Sequence, residues 1–172
     1  MINYRLLTLS ILLFWSIIAT ANAQVDKLKA AYLYNFATMT NYPASHQSGN
    51  FVIVVVGNSP IIGELDAIAK IKKIGSQSIE VKKVSSVSEI SNAHIVFLPE
   101  DQKSKLADLL ARTSSSPIVV VAETDGASVK GAIFNFVLID QKLRFEVNES
   151  KANAKGIKLA ANLVKLGIPV KS

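Results

Sequence analysis

Residues 51–57 read Phe-Val-Ile-Val-Val-Val-Gly, an apolar and largely β-branched run that ends at a glycine. A run of this length and composition is typical of a strand covered on both faces, as in a parallel sheet between two layers of helices. Asn58-Ser59-Pro60 follow, with Ser59 placed to cap a helix and Pro60 at its first position, where a missing N–H costs nothing. The stretch therefore predicts a strand–turn–helix unit of an α/β protein.

Apolar strands alternate with helical patterns on both sides of this unit. Upstream, an amphipathic helix is predicted from Val25 to about Thr40, on the three- and four-residue spacing of Val25, Leu28, Tyr32, Phe36 and Met39. Downstream, the pattern predicts a helix from Pro60 to about Ile71, a strand from Ser78 to Val84, one or two helical turns from Ser86 to Ser91, a strand from His94 to Leu98, a helix from Pro99 to Thr113 and a strand from Pro117 to Ala122. Strands separated by such helices imply βαβ units and a parallel sheet.

The pattern changes near the C-terminus. The segments Ala132–Ile139 and Lys142–Val147 are separated only by Asp140-Gln141, a spacing that permits antiparallel pairing alone. The predicted register pairs three apolar couples, which are Phe134 with Val147, Phe136 with Phe145, and Leu138 with Leu143.

A final helix is predicted from Ser150 to Leu166. Asn148 is placed to cap it, and its apolar stripe consists of Ile157, Ala160, Leu163, Val164 and Gly167. The fold class that follows is a three-layer α/β domain with a mostly parallel sheet flanked by helices, a C-terminal antiparallel hairpin and a final helix.

The first 23 residues have the pattern of a cleaved signal peptide. Arg5 precedes the apolar to weakly polar run Leu6–Ala19, and the segment closes on Ala21-Asn22-Ala23. An uncleaved anchor is the alternative, but a spanning helix needs roughly 20 apolar residues and this run is shorter. Removal of 23 residues from the 172 leaves a single soluble domain of 149 residues, and because Arg5 is lost the net charge falls from +6 to +5. We expect export to the periplasm.

The chain contains no cysteine, which excludes disulfides, thiolate nucleophiles and cysteine-ligated zinc. Its lysines are scattered among acidic residues rather than clustered on one face, so nucleic acid is not an expected partner. The motifs of serine hydrolases, zinc proteases, P-loops and dinucleotide-binding loops are missing. His46 and His94 lack metal-ligand spacing, and we predict no catalytic residue, metal site or cofactor.

The turn after the first strand is one candidate binding site. In open α/β sheets, ligands settle at the carboxyl ends of strands, often against a helix N-terminus. Gly57, Asn58 and Ser59 occupy such a position. They act either as a plain turn and cap or as a site for an anion or metabolite.

One face of the predicted hairpin is a second candidate. Arg144 and Glu146 are two residues apart on a strand and point to the same face, and the register places Asn135 across from Glu146. This polar row has a structural interpretation, a partly buried ion pair whose remaining hydrogen bonds the amide satisfies. It also has a functional one, a patch that recognises a partner.

Two segments form recognisable motifs. The first is Lys29-Ala30-Ala31-Tyr32-Leu33-Tyr34-Asn35-Phe36, followed by Asn41-Tyr42-Pro43, and the second is the hairpin from Gly131 to Asn148 with its Arg144-Phe145-Glu146-Val147-Asn148. Both segments resemble the YfiR family of periplasmic proteins. Gly156 and the end of the last helix also match, so the resemblance covers essentially the whole chain after residue 23. We take Asn35, which lies in the first motif, as a further candidate binding residue.

The resemblance implies an exported α/β domain that modulates a membrane-bound signalling partner, such as a diguanylate cyclase or a sensor kinase, through the partner's periplasmic domain. It also implies a homodimer and a protein that is not an enzyme. Well-known relatives carry disulfide-forming cysteines, so redox gating is not expected to transfer to this chain. A small-molecule receptor is the alternative, and a hydrolase is a distant third because no activated nucleophile or metal is visible.

Overall fold

The computed structural model describes residues 23–170. The predicted signal peptide, residues 1–23, lies outside the described residues except for its last position. The strands are β1 (Thr40–Asn41), β2 (Phe51–Val56), β3 (Lys73–Ile74), β4 (Gln77–Val84), β5 (Ile95–Leu98), β6 (Val119–Ala122), β7 (Phe134–Ile139), β8 (Lys142–Val147), β9 (Lys158–Leu159) and β10 (Ile168–Pro169). The α-helices are α1 (residues 23–38), α2 (Ile61–Ile71), α3 (Leu106–Arg112), α4 (Ala127–Lys130), α5 (Glu149–Ala154) and α6 (Ala161–Leu166).

The main sheet has the strand order β10-β8-β7-β6-β5-β2-β4-β3. The five strands from β7 to β4 in this order are parallel to one another, and β8 is antiparallel to β7. The predicted α/β class, with a mostly parallel sheet and an antiparallel hairpin, is therefore confirmed.

Strand β2 explains the three layers. All six of its residues are buried, with Phe51, Ile53 and Val55 in one apolar core and Val52, Val54 and Val56 in the other. Residues of α1, α2 and the C-terminal segment complete the first core, and residues of α3 and α4 complete the second. A strand enclosed on both faces has no solvated side, which is why its sequence does not alternate.

The hairpin has the predicted register throughout. Phe134 lies opposite Val147, Phe136 opposite Phe145 and Leu138 opposite Leu143. The two turn residues, Asp140 and Gln141, both have positive φ, at 50° and 61°. This is the backbone of a two-residue turn whose twist matches the flanking strands.

Aromatic rings join α1 to the hairpin. Phe36 stacks on Phe134 with ring centroids 4.0 Å apart and planes 10° apart, and Tyr32 meets the edge of Phe145 at 5.5 Å. The buried face of α1 is centred on Leu33 and Phe36, whereas Leu28, predicted to belong to its apolar stripe, is exposed.

The predicted last helix from Ser150 to Leu166 is wrong. Helix α5 ends at Ala154, and Gly156 follows with a left-handed φ of 71°. Strand β9 then pairs with β1, and the chain resumes a helix only at α6. Gly156 is the physical reason, because a glycine in this conformation terminates a helix and lets its amide bond backward, here to the Asn153 carbonyl at 2.9 Å.

Other boundaries also differ from the sequence expectations. The segment predicted as one helix from Pro99 to Thr113 is a 3-10 helix, Glu100–Lys105, followed by α3. Ser59 does not cap α2: the residue before the helix is Pro60, and no side chain caps the helix at this end. Helix α4 and strands β1, β3, β9 and β10 are too short to leave a periodic signal.

Candidate functional site

The carboxyl ends of the parallel strands form the edge where ligands commonly bind in this class of fold. Glu123 directly follows β6 at this edge, and its carboxylate contacts the ammonium group of Lys29 from α1. The two side chains are only 16% and 17% exposed. Burial raises the pKa of Glu123, and Lys29 and the Glu100 backbone N–H oppose that shift. This pair fastens α1 to the end of the sheet.

Sequence reasoning did not identify this pair. Lys29 lies four residues after Val25 and three before Tyr32, so it occupies the predicted apolar face of α1. A lysine on an apolar face was the available signal, because a buried charge requires a partner.

The polar row on the hairpin is partly assembled as predicted. Asn135 is fully buried, and its amide nitrogen donates to Glu146 Oε2 at 3.0 Å. Its amide oxygen accepts the backbone N–H of Thr124 at 3.0 Å. Arg144 is exposed, and it takes part in none of the ion pairs of residues 23–170. The structure thus joins Asn135 and Glu146 and leaves Arg144 free of their network.

The turn after β2 is occupied by the chain itself. Gly57 has a φ of 82°, and a Cβ at this position would lie 2.7 Å from Cδ of Gln102. Gln102 Oε1 accepts from Lys105 Nζ at 2.7 Å, and the same ammonium donates to the Ser85 carbonyl at 2.9 Å. Gln102 therefore fills the crevice beside Gly57.

The remaining predicted binding residues lie apart from the hairpin row. Asn58 is exposed and Ser59 half-buried after β2, which β5 and β6 separate from β7. Asn35 is exposed on α1. The seven predicted positions thus form no single site.

An open slot lies at the carboxyl edge between the loops after β5 and β6 and the far half of β7. Its lining residues are Glu100, Lys103, Glu123, Thr124, Asp125, Phe136, Val137 and Leu138. One wall is polar and predominantly acidic, and the other is the backbone and side chains of a strand. Such a slot suits recognition of an extended or amphipathic ligand.

His94 is buried at the opposite edge of the sheet and is a structural residue. Val52 N–H donates to His94 Nδ1 at 3.1 Å, and His94 Nε2 lies 2.8 Å from the His46 carbonyl. An acceptor at Nδ1 and a donor at Nε2 define one neutral tautomer. Burial lowers the pKa of His94 below its usual value.

We expect this arrangement to make stability depend on pH. Because the pKa of His94 is lowered on folding, the unfolded chain binds a proton that the folded chain does not. The contribution of neutral His94 to the free energy of unfolding is complete above the pKa of the unfolded chain, about 6.5. It is lost as the pH falls through the lower pKa of His94 in the folded protein. Urea unfolding between pH 7.5 and 5 should show the decline. His94→Gln, which keeps one acceptor and one donor, should flatten it, whereas His46→Gln should retain it. An undiminished decline in His94→Gln would refute this assignment.

The comparison with family models decides where this fold belongs. The model described as YfiR/HmsC-like matches residues 26–168. The chain belongs to the YfiR/HmsC-like family. Members of this family are periplasmic and act as regulators in the diguanylate cyclase pathway. The resemblance expected from the two sequence motifs is confirmed.

A solved structure supports the architecture. The ABC domain in complex with L-Trp from Streptococcus pneumonia is similar with a TM-score of 0.52 and 14% identity, over 70% of this chain and 55% of that chain. The chain therefore spans little more than half of that structure, and the likeness shows the fold alone. None of the curated proteins matches significantly. Within residues 23–170, no helix has the length and apolar character needed to cross a membrane.

Proposed function

We propose that this YfiR/HmsC-like protein is a periplasmic regulatory binding protein that modulates a membrane-bound signalling partner, a diguanylate cyclase or a sensor kinase, by binding its periplasmic domain. The observation that carries the proposal is the family match over residues 26–168. The signal peptide predicted for residues 1–23 agrees with this location. The protein acts by binding rather than catalysis and forms a homodimer.

Deletion of the gene tests the proposal. We expect the cellular cyclic-di-GMP level to rise when the regulator is lost and to return on complementation with the full chain. Complementation with a chain lacking residues 2–23 should fail, because that protein would not reach the periplasm. If cyclic-di-GMP is unchanged by deletion and crosslinking in the envelope recovers no sensor protein, the proposal is wrong.

Arg144 offers a test of the hairpin face. Since Arg144 is exposed and lies outside the ion pairs of residues 23–170, Arg144→Ala should change the free energy of unfolding by no more than about 0.5 kcal/mol. We expect its capture of the membrane partner to be weakened, as measured by crosslinking yield. Lys142→Ala, an exposed charge on the same strand, is the matched control. A large loss of stability in Arg144→Ala would instead support the structural interpretation of this residue.

A small-molecule receptor is the second candidate. The slot at the carboxyl edge favours it. A ligand present at 100 times its Kd adds about 2.7 kcal/mol to stability. Thermal-shift screening of amino acids, nucleotides and vitamins should therefore reveal one, and a flat screen would count against this candidate.

A further inference from the structure

Strand β7 extends beyond its parallel neighbour. Strand β6 ends at Ala122 and pairs with β7 only at Phe134 and Asn135, whereas β7 continues to Ile139. In the part of the chain that the structure describes, no strand pairs with the remainder of β7 on this side. The far half of β7 therefore has a free edge.

The buried amide of Asn135 explains why the pairing stops. Its side-chain oxygen takes the Thr124 N–H, and the chain then turns through Gly126, which has a left-handed φ of 69°, into α4. The backbone that follows β6 is thereby led away from β7. The space it leaves is the slot described above.

The free edge carries unused backbone groups. Ile139 and Lys142 flank a two-residue turn and form a hydrogen-bonded pair, and such pairs alternate along an antiparallel ribbon. Leu138 consequently falls in a pair without hydrogen bonds, and its N–H and carbonyl point away from β8. Within residues 23–170, no backbone bond from a loop or turn reaches Leu138.

The composition of this edge differs from that of the open edge of β4. Proteins usually protect an open edge with charged side chains or proline. The outer edge of β4, which β3 covers only at Gln77 and Ser78, carries Glu80, Lys82 and Lys83. Residues 136–139 are Phe-Val-Leu-Ile without a charge, and Leu138 is 71% exposed. An unprotected apolar edge is a template for another strand.

The charged residues on the opposite wall of the slot indicate which side chains an added strand would carry. Glu123 is already neutralised by Lys29, but Glu100 and Asp125 enter no ion pair within residues 23–170. Lys103 is the basic residue among those that line the slot. The surplus of carboxylates favours basic side chains in the ligand, while the exposed Leu138 favours apolar ones.

We propose that an extended segment of a protein partner, alternating basic and apolar residues, adds as a strand to the free edge of β7 and fills the slot. Main-chain hydrogen bonds to the N–H and carbonyl of Leu138 supply affinity, and the alternating side chains supply specificity. The inference rests on the proposed function in that the segment belongs to the protein partner.

Defined peptides test the edge directly. The purified protein is titrated with Lys-Val-Lys-Val-Lys-Val-Lys-Val and with its Glu-Val counterpart, with amide shifts and hydrogen exchange as the readout. We expect the Lys-Val peptide to bind and to protect the Leu138 amide. Leu138→Pro removes the outward N–H and is tolerated at an edge, so it should weaken binding at least about tenfold. Leu138→Ala keeps the N–H and should bind more tightly than Leu138→Pro, and melting temperatures establish that both variants fold.

A second experiment tests the role of charge with the double variant Glu100→Gln and Asp125→Asn. This variant should bind the Lys-Val peptide more weakly and should show a smaller preference for it over the Glu-Val peptide. Equal binding of the two peptides to the unaltered protein, or Lys-Val binding unaffected by Leu138→Pro in a folded protein, would overturn the inference. So would a dimer, seen by sedimentation, that Leu138→Pro dissociates, because a second copy would then occupy the edge. Should deletion leave cyclic-di-GMP unchanged while peptide binding holds, the proposed function alone fails. If the Leu138→Pro protein restores the cyclic-di-GMP level fully in the deletion strain, the edge inference alone fails.

Discussion

Phe36→Ala is expected to lower the free energy of unfolding by about 3–5 kcal/mol, the range for removal of a buried phenylalanine. Phe36 is fully buried, stacks on Phe134 and meets Phe145 edge-on with ring centroids 4.9 Å apart. The alanine would leave a cavity between α1 and the hairpin that these rings cannot easily close. Urea unfolding followed by circular dichroism measures the loss.

Asn35→Ala is the matched control for this prediction. Asn35 is the preceding residue of the same helix but is exposed, so its replacement should change stability by no more than about 0.5 kcal/mol. If Phe36→Ala cost less than about 1 kcal/mol, the aromatic cluster would not be what joins α1 to the sheet. The control also tests whether Asn35 binds a partner, because a loss of capture in this variant would not reflect unfolding.

The parts of the fold that were predicted depend on local pattern. Residues 51–56 are apolar without interruption, which only a doubly covered strand requires, and the spacing of two residues at Asp140-Gln141 fixes the hairpin register by itself. The break at Gly156 was missed because periodicity continues across it, and because β9 is held by β1, more than a hundred residues earlier in the chain.

In the candidate site, too, the local contacts were predicted and the contacts between distant segments were not. Asn135 and Glu146 were placed together because a hairpin register is local. The contact of Asn135 with Thr124, and the closure of the Gly57 crevice by Gln102, depend on how separate loops meet at the sheet edge. No periodicity encodes such contacts, and they decide which crevice stays open.

Lys29→Met is expected to destabilise the protein by about 3 kcal/mol, because removing one partner of a buried ion pair leaves the other charge without compensation. Lys29 is held between Glu123 and Asp26, the latter at 3.9 Å, and methionine keeps most of its apolar length. Lys27→Met, at an exposed position of the same helix, should cost no more than about 0.5 kcal/mol. Urea unfolding of both variants at pH 7.5 measures the difference.

The pH dependence of Lys29→Met identifies the charge of Glu123 as the cause. Burial already raises the pKa of Glu123, and loss of Lys29 removes an interaction that opposes this rise. The folded variant therefore takes up a proton at a pH where the unfolded chain does not, so its stability increases as the pH falls. We expect the deficit relative to the unaltered protein to shrink between pH 7.5 and 5, and Glu123→Gln introduced beside Lys29→Met to recover most of it at pH 7.5. A deficit that is independent of pH and persists in the double variant would mean that lost packing of the lysine stem, rather than an unpaired carboxylate, destabilises the protein.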